Sequence, residues 1–425
     1  MPSFRNNYDR LLDHMADMDI VDTHEHLIPE EERVAGSPDF STMFGHYCVG
    51  DLKSAGMSNK DVDAFYGPNT PVDEKWRIFE PYYHLIRDGG FVRAAHIAME
   101  KFYGFSRLDS LADAEALTAK IRKANKPGLY EKVLKDACGI RVVLNYGIST
   151  HGPEWLAPVM FATDYTHVNK AEIRRLEESL GVTCANLDGY VSALWEQFRQ
   201  WKEQGMKGIK LHSAYMRDLH FVPRTHAEAQ AVFLRIMEEE YGARNAGLGY
   251  EESRPLQDYL VCRLAEMAGE MDVPMSFHTG LQGGNEQRVD DSLPLPLWNL
   301  AHRYRRVRFV LLHAGLPWVE DAAMLAKQYP NVYLDMAWTH LMSPEISRRA
   351  LRTWIDMVPI NKVLGFGGDY SVVEKIYGHL ELAKQNIARA LAAKIDGDGM
   401  PLERARAWIQ ALLWDNPKEV FRLEI

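Results

Sequence analysis

Short apolar runs recur along the chain, each followed by a polar turn and then by a stretch of helical period. The runs are MDIVDTH (residues 18–24), GIRVVLNYG (139–147), APVMFATDY (157–165), KGIKLH (207–212), VPMSFH (273–278), VRFVLLH (307–313), NVYLDMAW (331–338) and KVLGFGGD (362–369). They are almost continuously apolar instead of alternating, as strands covered on both faces of a parallel sheet are. Between them, Val191, Leu194, Trp195, Phe198 and Trp201 keep the three-and-four spacing of one helix face. Leu256, Leu260, Leu264 and Met267 do the same. Ser343-Pro344 reads as an N-cap with proline in the first turn, opening a helix through Trp354. Eight strands alternating with helices predict an α/β fold, a (β/α)8 TIM barrel; an open doubly wound sheet is the competing architecture.

Two stretches exceed a minimal barrel. Residues 28–125, after the first strand, carry helical segments and many aromatics, among them Phe65, Tyr66, Trp76, Phe79, Tyr82, Tyr83, Phe102 and Tyr103. Residues 213–254 separate the fourth strand from its helix. Both follow strand C-termini, where barrel enzymes build their sites. The expectation is one domain over residues 1–425, with a large helical insertion at 28–125 capping the pocket and a smaller one after strand 4. A plain insertion or an oligomer contact is the competing reading.

Composition narrows the function classes. Hydrophobic residues make up 46% of the 425 positions, enough for a large core. A net charge of −10 leaves no basic excess for neutralising phosphates, which argues against nucleic acid. Cys48, Cys138, Cys184 and Cys262 lie far apart with no C-x-x-C spacing, so buried thiols in a reducing compartment are expected. The opening MPSFRNNYDRLLDHMADMD is too charged for a signal peptide, and no run of about 18 apolar residues occurs. The expectation is a cytoplasmic protein with no membrane partner; a homo-oligomer is compatible.

Candidate chemistry gathers at strand ends. In Asp22-Thr23-His24-Glu25-His26, His24 and His26 are two apart and share one side of a strand, while Glu25 points the other way. His278 ends the fifth run, His313 the sixth, and Asp369 the eighth. A lone H-x-H is weak among 16 histidines, and a lone strand-end His or Asp is usually a hydrogen-bonded rim residue or a turn. Their common registry is the stronger signal, because parallel barrel strands bring their C-termini to one rim. Histidine nitrogens with a carboxylate suit zinc, manganese or iron. Retention of the whole set argues against a non-catalytic barrel.

That order of residues resembles the amidohydrolase superfamily: H-x-H on strand one, His on strands five and six, Asp on strand eight. The C-terminal half is most similar to its amidohydrolase-2 branch, which includes aromatic-acid decarboxylases, lactone and amide hydrolases and, more distantly, uronate isomerases. LLHAGLPWVEDAAMLAKQYPNVYLDMAW and GFGGDYSVVEKIYGH also resemble the amidohydrolase-like domain fused to glutamine-synthetase-like proteins. The resemblance covers the strands and the segment from about residue 205 onward, and it does not reach 28–125. It implies one divalent metal ion, zinc first and manganese second, held by His24, His26, His278 and Asp369. Asp369 would also accept a proton, and His313 would polarise the substrate or shuttle a proton. Binuclear relatives carry a carboxylated lysine at the end of strand four. Lys210 stands there, with His212 two positions on, as bridging carbamate, substrate ligand or plain rim lysine. The residue before Asp369 is Gly368, where such relatives often have Thr or Ser, so a supporting hydroxyl is missing.

On the substrate side, Arg217 is a candidate fork for a carboxylate, with a surface charge as the alternative, and Trp338 a candidate stacking surface; Tyr215 and His340 lie beside them in sequence. The expected substrate is a small organic acid. The first functional expectation is hydrolysis of an amide, ester or lactone by metal-activated water. Decarboxylation or uronate-type isomerisation at the same site are the alternatives.

Overall fold

The computed structural model describes residues 6–147, 153–238 and 248–425. Each of the eight apolar runs holds a strand: β1 Ile20–Glu25, β2 Ile140–Gly147, β3 Leu156–Phe161, β4 Gly208–Leu211, β5 Met275–His278, β6 Phe309–Leu312, β7 Val332–Asp335 and β8 Val363–Leu364. They form one sheet in sequence order. The pairings are parallel, with Lys210 opposite Ser276 and Met275 opposite Phe309. Every residue of β4, β5 and β6 is buried, which is why these runs carry no polar alternation. Beyond β8 the chain continues along β1: Thr23 N–H donates to Phe366 O (3.1 Å) and His26 N–H to Tyr370 O (2.9 Å). Strand, helix and order are those of the (β/α)8 barrel.

The expected helices form over Leu187–Glu203, Tyr250–Glu270 and Pro344–Met357. Ser343 caps the last of these by accepting from Ile346 N–H. The insertion after β1 runs further than residue 125, with helical structure reaching Ala137. Its aromatics form a core of their own, where Phe65 and Phe79 stack at 4.7 Å beside Phe40, Phe44, Trp76 and Tyr83. The smaller insertion after β4 contains the helix His226–Glu238; its residues 239–247 lie outside the described residues, as do residues 1–5.

The chain divides into two compact units. One comprises Met1–Asn145, Leu281–Gln287 and Asp335–Pro417, and the other Tyr146–Gly280, Arg288–Leu334 and Lys418–Ile425. The insertion is thus no unit of its own, but clusters with β1 and β8. Within this unit the helix Gly90–Tyr103 packs on Val373–Asp398 so tightly that a Cβ on Gly378 would lie 1.9 Å from Ala94 O. All four cysteines are buried free thiols. No helix among the described residues is long and apolar enough to cross a membrane.

Candidate metal centre

The geometry of the centre follows from the end of β1 and the turn after β8. His24 and His26 turn their rings together at 5.0 Å between centroids. Their Nε2 atoms are 3.3 Å apart, and Asp369 Oδ1 lies 3.4 Å from the first and 3.0 Å from the second. A tetrahedral ion with bonds of about 2.0–2.1 Å spaces its ligand atoms at roughly 3.3 Å. The three donors therefore already stand at ligand spacing, buried or half-buried, and fit one divalent cation.

Two further carboxyls lie beneath them. Asp22 and Glu25 are fully buried and close enough for each to perturb the other. Burial pushes Asp22 up to about 7; burial, then the Asp22 charge, pushes Glu25 well above the carboxylate range. As expected, Glu25 points away from the imidazoles: it accepts the Tyr370 N–H at 2.6 Å.

The insertion adds residues that the sequence reading missed. His46 brings its ring to 6.2 Å from that of His26 and stacks on Tyr47 at 4.0 Å. Burial holds its pKa down, to about 4, so it is neutral at pH 7. Its Nδ1 is buried without a hydrogen-bond partner. Tyr47 in turn lies against Trp338 (4.4 Å) and Phe91 (5.6 Å), forming an aromatic wall beside the histidines. Lys375 is buried nearby, donating to Gly45 O (2.7 Å) and lying over the Tyr370 ring (4.5 Å). His46, Trp338 and Asp369 all hold positive φ (63°, 65° and 62°), a conformation that non-glycine residues keep only where their surroundings impose it.

In the other unit, His278 lies 4.3 Å from His313 and 4.7 Å from Tyr215, ring to ring. His313 also has positive φ (63°). Lys210 is buried within β4, its Nζ 5.3 Å from the centre of the Tyr146 ring. His212 does not continue its strand face: β4 ends at Leu211, and the imidazole turns to the Thr163 hydroxyl at 3.0 Å.

Arg217 and His340, expected on the substrate side, are both enclosed by the protein. Arg217 is neither a surface charge nor an open fork. It is fully buried, pairs with Asp258 at 2.8 Å and donates to Gln257 Oε1 and the carbonyls of Asp218 and His220. A guanidinium in a dry site needs its donors satisfied, and here the protein satisfies them. His340 is fully buried as well, its Nε2 bonded to Gly365 O at 3.0 Å, and burial lowers its pKa to about 4.

A parallel eight-stranded barrel with a histidine–aspartate cluster at its strand ends defines the class as a barrel enzyme with a candidate metal centre. The family model described as Amidohydrolase matches residues 154–423, and the chain belongs to that family. The uronate isomerase of Thermotoga petrophila is 20% identical over 97% of this chain and 96% of its own length. Protein fluG of Emericella nidulans is 27% identical over 40% of this chain, a match spanning only 20% of that protein. Among solved structures, the uronate isomerase of Thermotoga maritima superposes with a TM-score of 0.79 at 18% identity, over 98% of this chain and 97% of its own. The glucuronate isomerase of Caulobacter crescentus gives 0.76 at 20%, over 100% and 96%.

Proposed function

We propose that the protein is a metal-dependent isomerase of sugar acids, interconverting an aldose-type and a ketose-type uronate. One observation carries this reading. The likeness to uronate isomerases runs over 97% of the chain, and so includes the insertion that delivers His46 and Tyr47 to the metal centre. The hydrolase expected first from the sequence has weaker full-length support: a putative metal-dependent hydrolase of Lactobacillus casei covers 97% of each chain at a TM-score of 0.65, against 0.79 and 0.76 for the isomerases.

The ligand set proposed is His24, His26 and Asp369 with His278 as fourth member, zinc as first candidate and manganese second. Such an ion would polarise the carbonyl and the neighbouring hydroxyl of the open-chain substrate. The reaction moves one proton from C2 to C1 and one from O2 to O1, so the atoms balance without water. Asp369 takes the hydroxyl proton. His46, neutral at pH 7 with Nδ1 unpartnered, is the group that takes the carbon-bound proton and returns it one carbon away. The wall of Tyr47, Phe91 and Trp338 excludes water from the intermediate enediol.

The test is incubation of the zinc- or manganese-loaded enzyme with D-glucuronate and D-galacturonate in D2O, followed by NMR. Ketose formation is expected with little deuterium at C1, since His46 returns the proton it took behind a wall that excludes water. The second reading is hydrolysis, since a metal ligand that is also a proton acceptor serves a bound water equally well. Turnover of lactones or N-acyl amino acids, with none of uronates, would establish it; CO2 from hydroxybenzoates would instead mark a decarboxylase.

A further inference from the structure

The acidic side chains of β1 and the glycine before Asp369 fit together in a way that metal ligation alone does not require. We propose that Glu25 is the positioning residue of the metal-binding aspartate and stands in the volume that a side chain at 368 would fill, so that positions 25 and 368 form an exchangeable pair. The proposal rests on the reading of His24, His26 and Asp369 as a metal centre.

Three consecutive amides of the turn are tied to β1. Gly368 N–H donates to Asp22 Oδ1 (3.2 Å), Asp369 N–H to His24 O (2.6 Å) and Tyr370 N–H to Glu25 Oε2 (2.6 Å). Between the outer two, Asp369 is held at φ 62°, a left-handed conformation that a residue with a side chain rarely adopts unaided. The Glu25 bond therefore fixes the far side of a strained residue whose Oδ1 must point at His24 and His26. A carboxyl oxygen accepting from a backbone amide in a dry site is a firm anchor, since no water competes for the bond.

Gly368 is then explained by space and not by backbone freedom. It is absent from the positive-φ positions, so its backbone would accept a side chain. A Cβ there, however, would meet Glu25 Oε1 at 1.9 Å and Cδ at 2.9 Å. The hydroxyl whose loss the sequence registers at this place has been replaced by a carboxylate reaching across from β1. Either residue 25 is long and acidic and residue 368 is bare, or residue 368 carries a hydroxyl and residue 25 is short.

The experiment is a mutant cycle read through metal binding, not activity. Zinc affinity, by chelator competition, and the visible spectrum of the cobalt(II)-loaded protein are measured for the wild type, Glu25→Ala, Glu25→Gln, Gly368→Ser and Glu25→Ala/Gly368→Ser. Loss of a supporting partner costs about 10–100-fold in metal affinity. Glu25→Ala and Gly368→Ser should each show such a loss with an altered cobalt spectrum. Glu25→Gln, whose amide oxygen still accepts from Tyr370 N–H, should stay within about threefold, and the double variant should recover most of the loss. Wild-type affinity and spectrum in Glu25→Ala, or losses that simply multiply in the double variant, would overturn the proposal. Failure of the wild type itself to bind metal would instead overturn the metal-centre reading.

Discussion

Gly378→Ala adds one methyl group where two helices touch backbone to backbone. The added Cβ would sit 1.9 Å from Ala94 O and 2.7 Å from Ala94 C. An ordinary C···O contact needs about 3.3 Å, so the shortfall is roughly 1.4 Å. Neither atom can rotate aside, and the helices Gly90–Tyr103 and Val373–Asp398 must part along their contact. Overpacking usually costs about 1–3 kcal/mol, and a backbone clash of this depth belongs at or above the upper end. The same substitution at Gly397, in the same helix with nothing within 4 Å, should stabilise by up to about 0.5–1 kcal/mol by removing backbone entropy from the unfolded chain. Urea unfolding followed by far-UV circular dichroism ranks the two against the wild type. Metal affinity should fall in Gly378→Ala too, because the next residue, His379, bonds Gly368 O at 3.1 Å. A Gly378→Ala protein within 0.5 kcal/mol of the wild type would refute the reasoning from helix contact.

His278→Ala should lower zinc content and affinity by at least tenfold if the imidazole is the fourth ligand; unchanged affinity would remove it from the set. Arg217→Ala should cost about 3 kcal/mol of stability, since it strips the nearest cation from buried Asp258, which keeps only the Arg224 contact at 3.1 Å. A raised KM with unchanged stability would restore the substrate-carboxylate role. Burial holds His340 near pKa 4 against about 6.5 unfolded, so below pH 6.5 the unfolded chain takes a proton that the folded one refuses. Stability contributed by this residue is lost as pH falls from 6.5 towards 4. His340→Gln should therefore flatten the fall of the urea-derived unfolding free energy between pH 7 and 5, by up to about 1.4 kcal/mol per pH unit, and parallel curves would contradict this.

The strands were legible because burial on both faces leaves no polar positions to blur the run, and even two-residue β8 is betrayed by the apolar residues flanking it. His24, His26 and Asp369 were legible because strand-end registry is a property of the sheet, which local sequence specifies. The partners of Arg217 were not: Asp258 lies forty-one positions on, and an ion pair closed between a loop and a helix leaves no periodic trace. His46 was equally hidden. It sits in FGHYC within a helical insertion, and its approach to His26 depends on how that insertion packs. Gly368 carried a signal, a missing hydroxyl, but its cause lay in Glu25 on β1. Local pattern writes elements; contacts between distant side chains write the site.

The most direct measurement is metal content of the purified protein by plasma mass spectrometry, for the wild type and for His26→Ala. About one equivalent of zinc or manganese per chain is expected in the wild type, and close to none in the variant, where the His24 and Asp369 ligand atoms, 3.4 Å apart, lose the third member of their cluster. Full metal content in His26→Ala, or a folded wild type that neither contains nor takes up a divalent ion, would contradict the metal centre and the chemistry proposed for it.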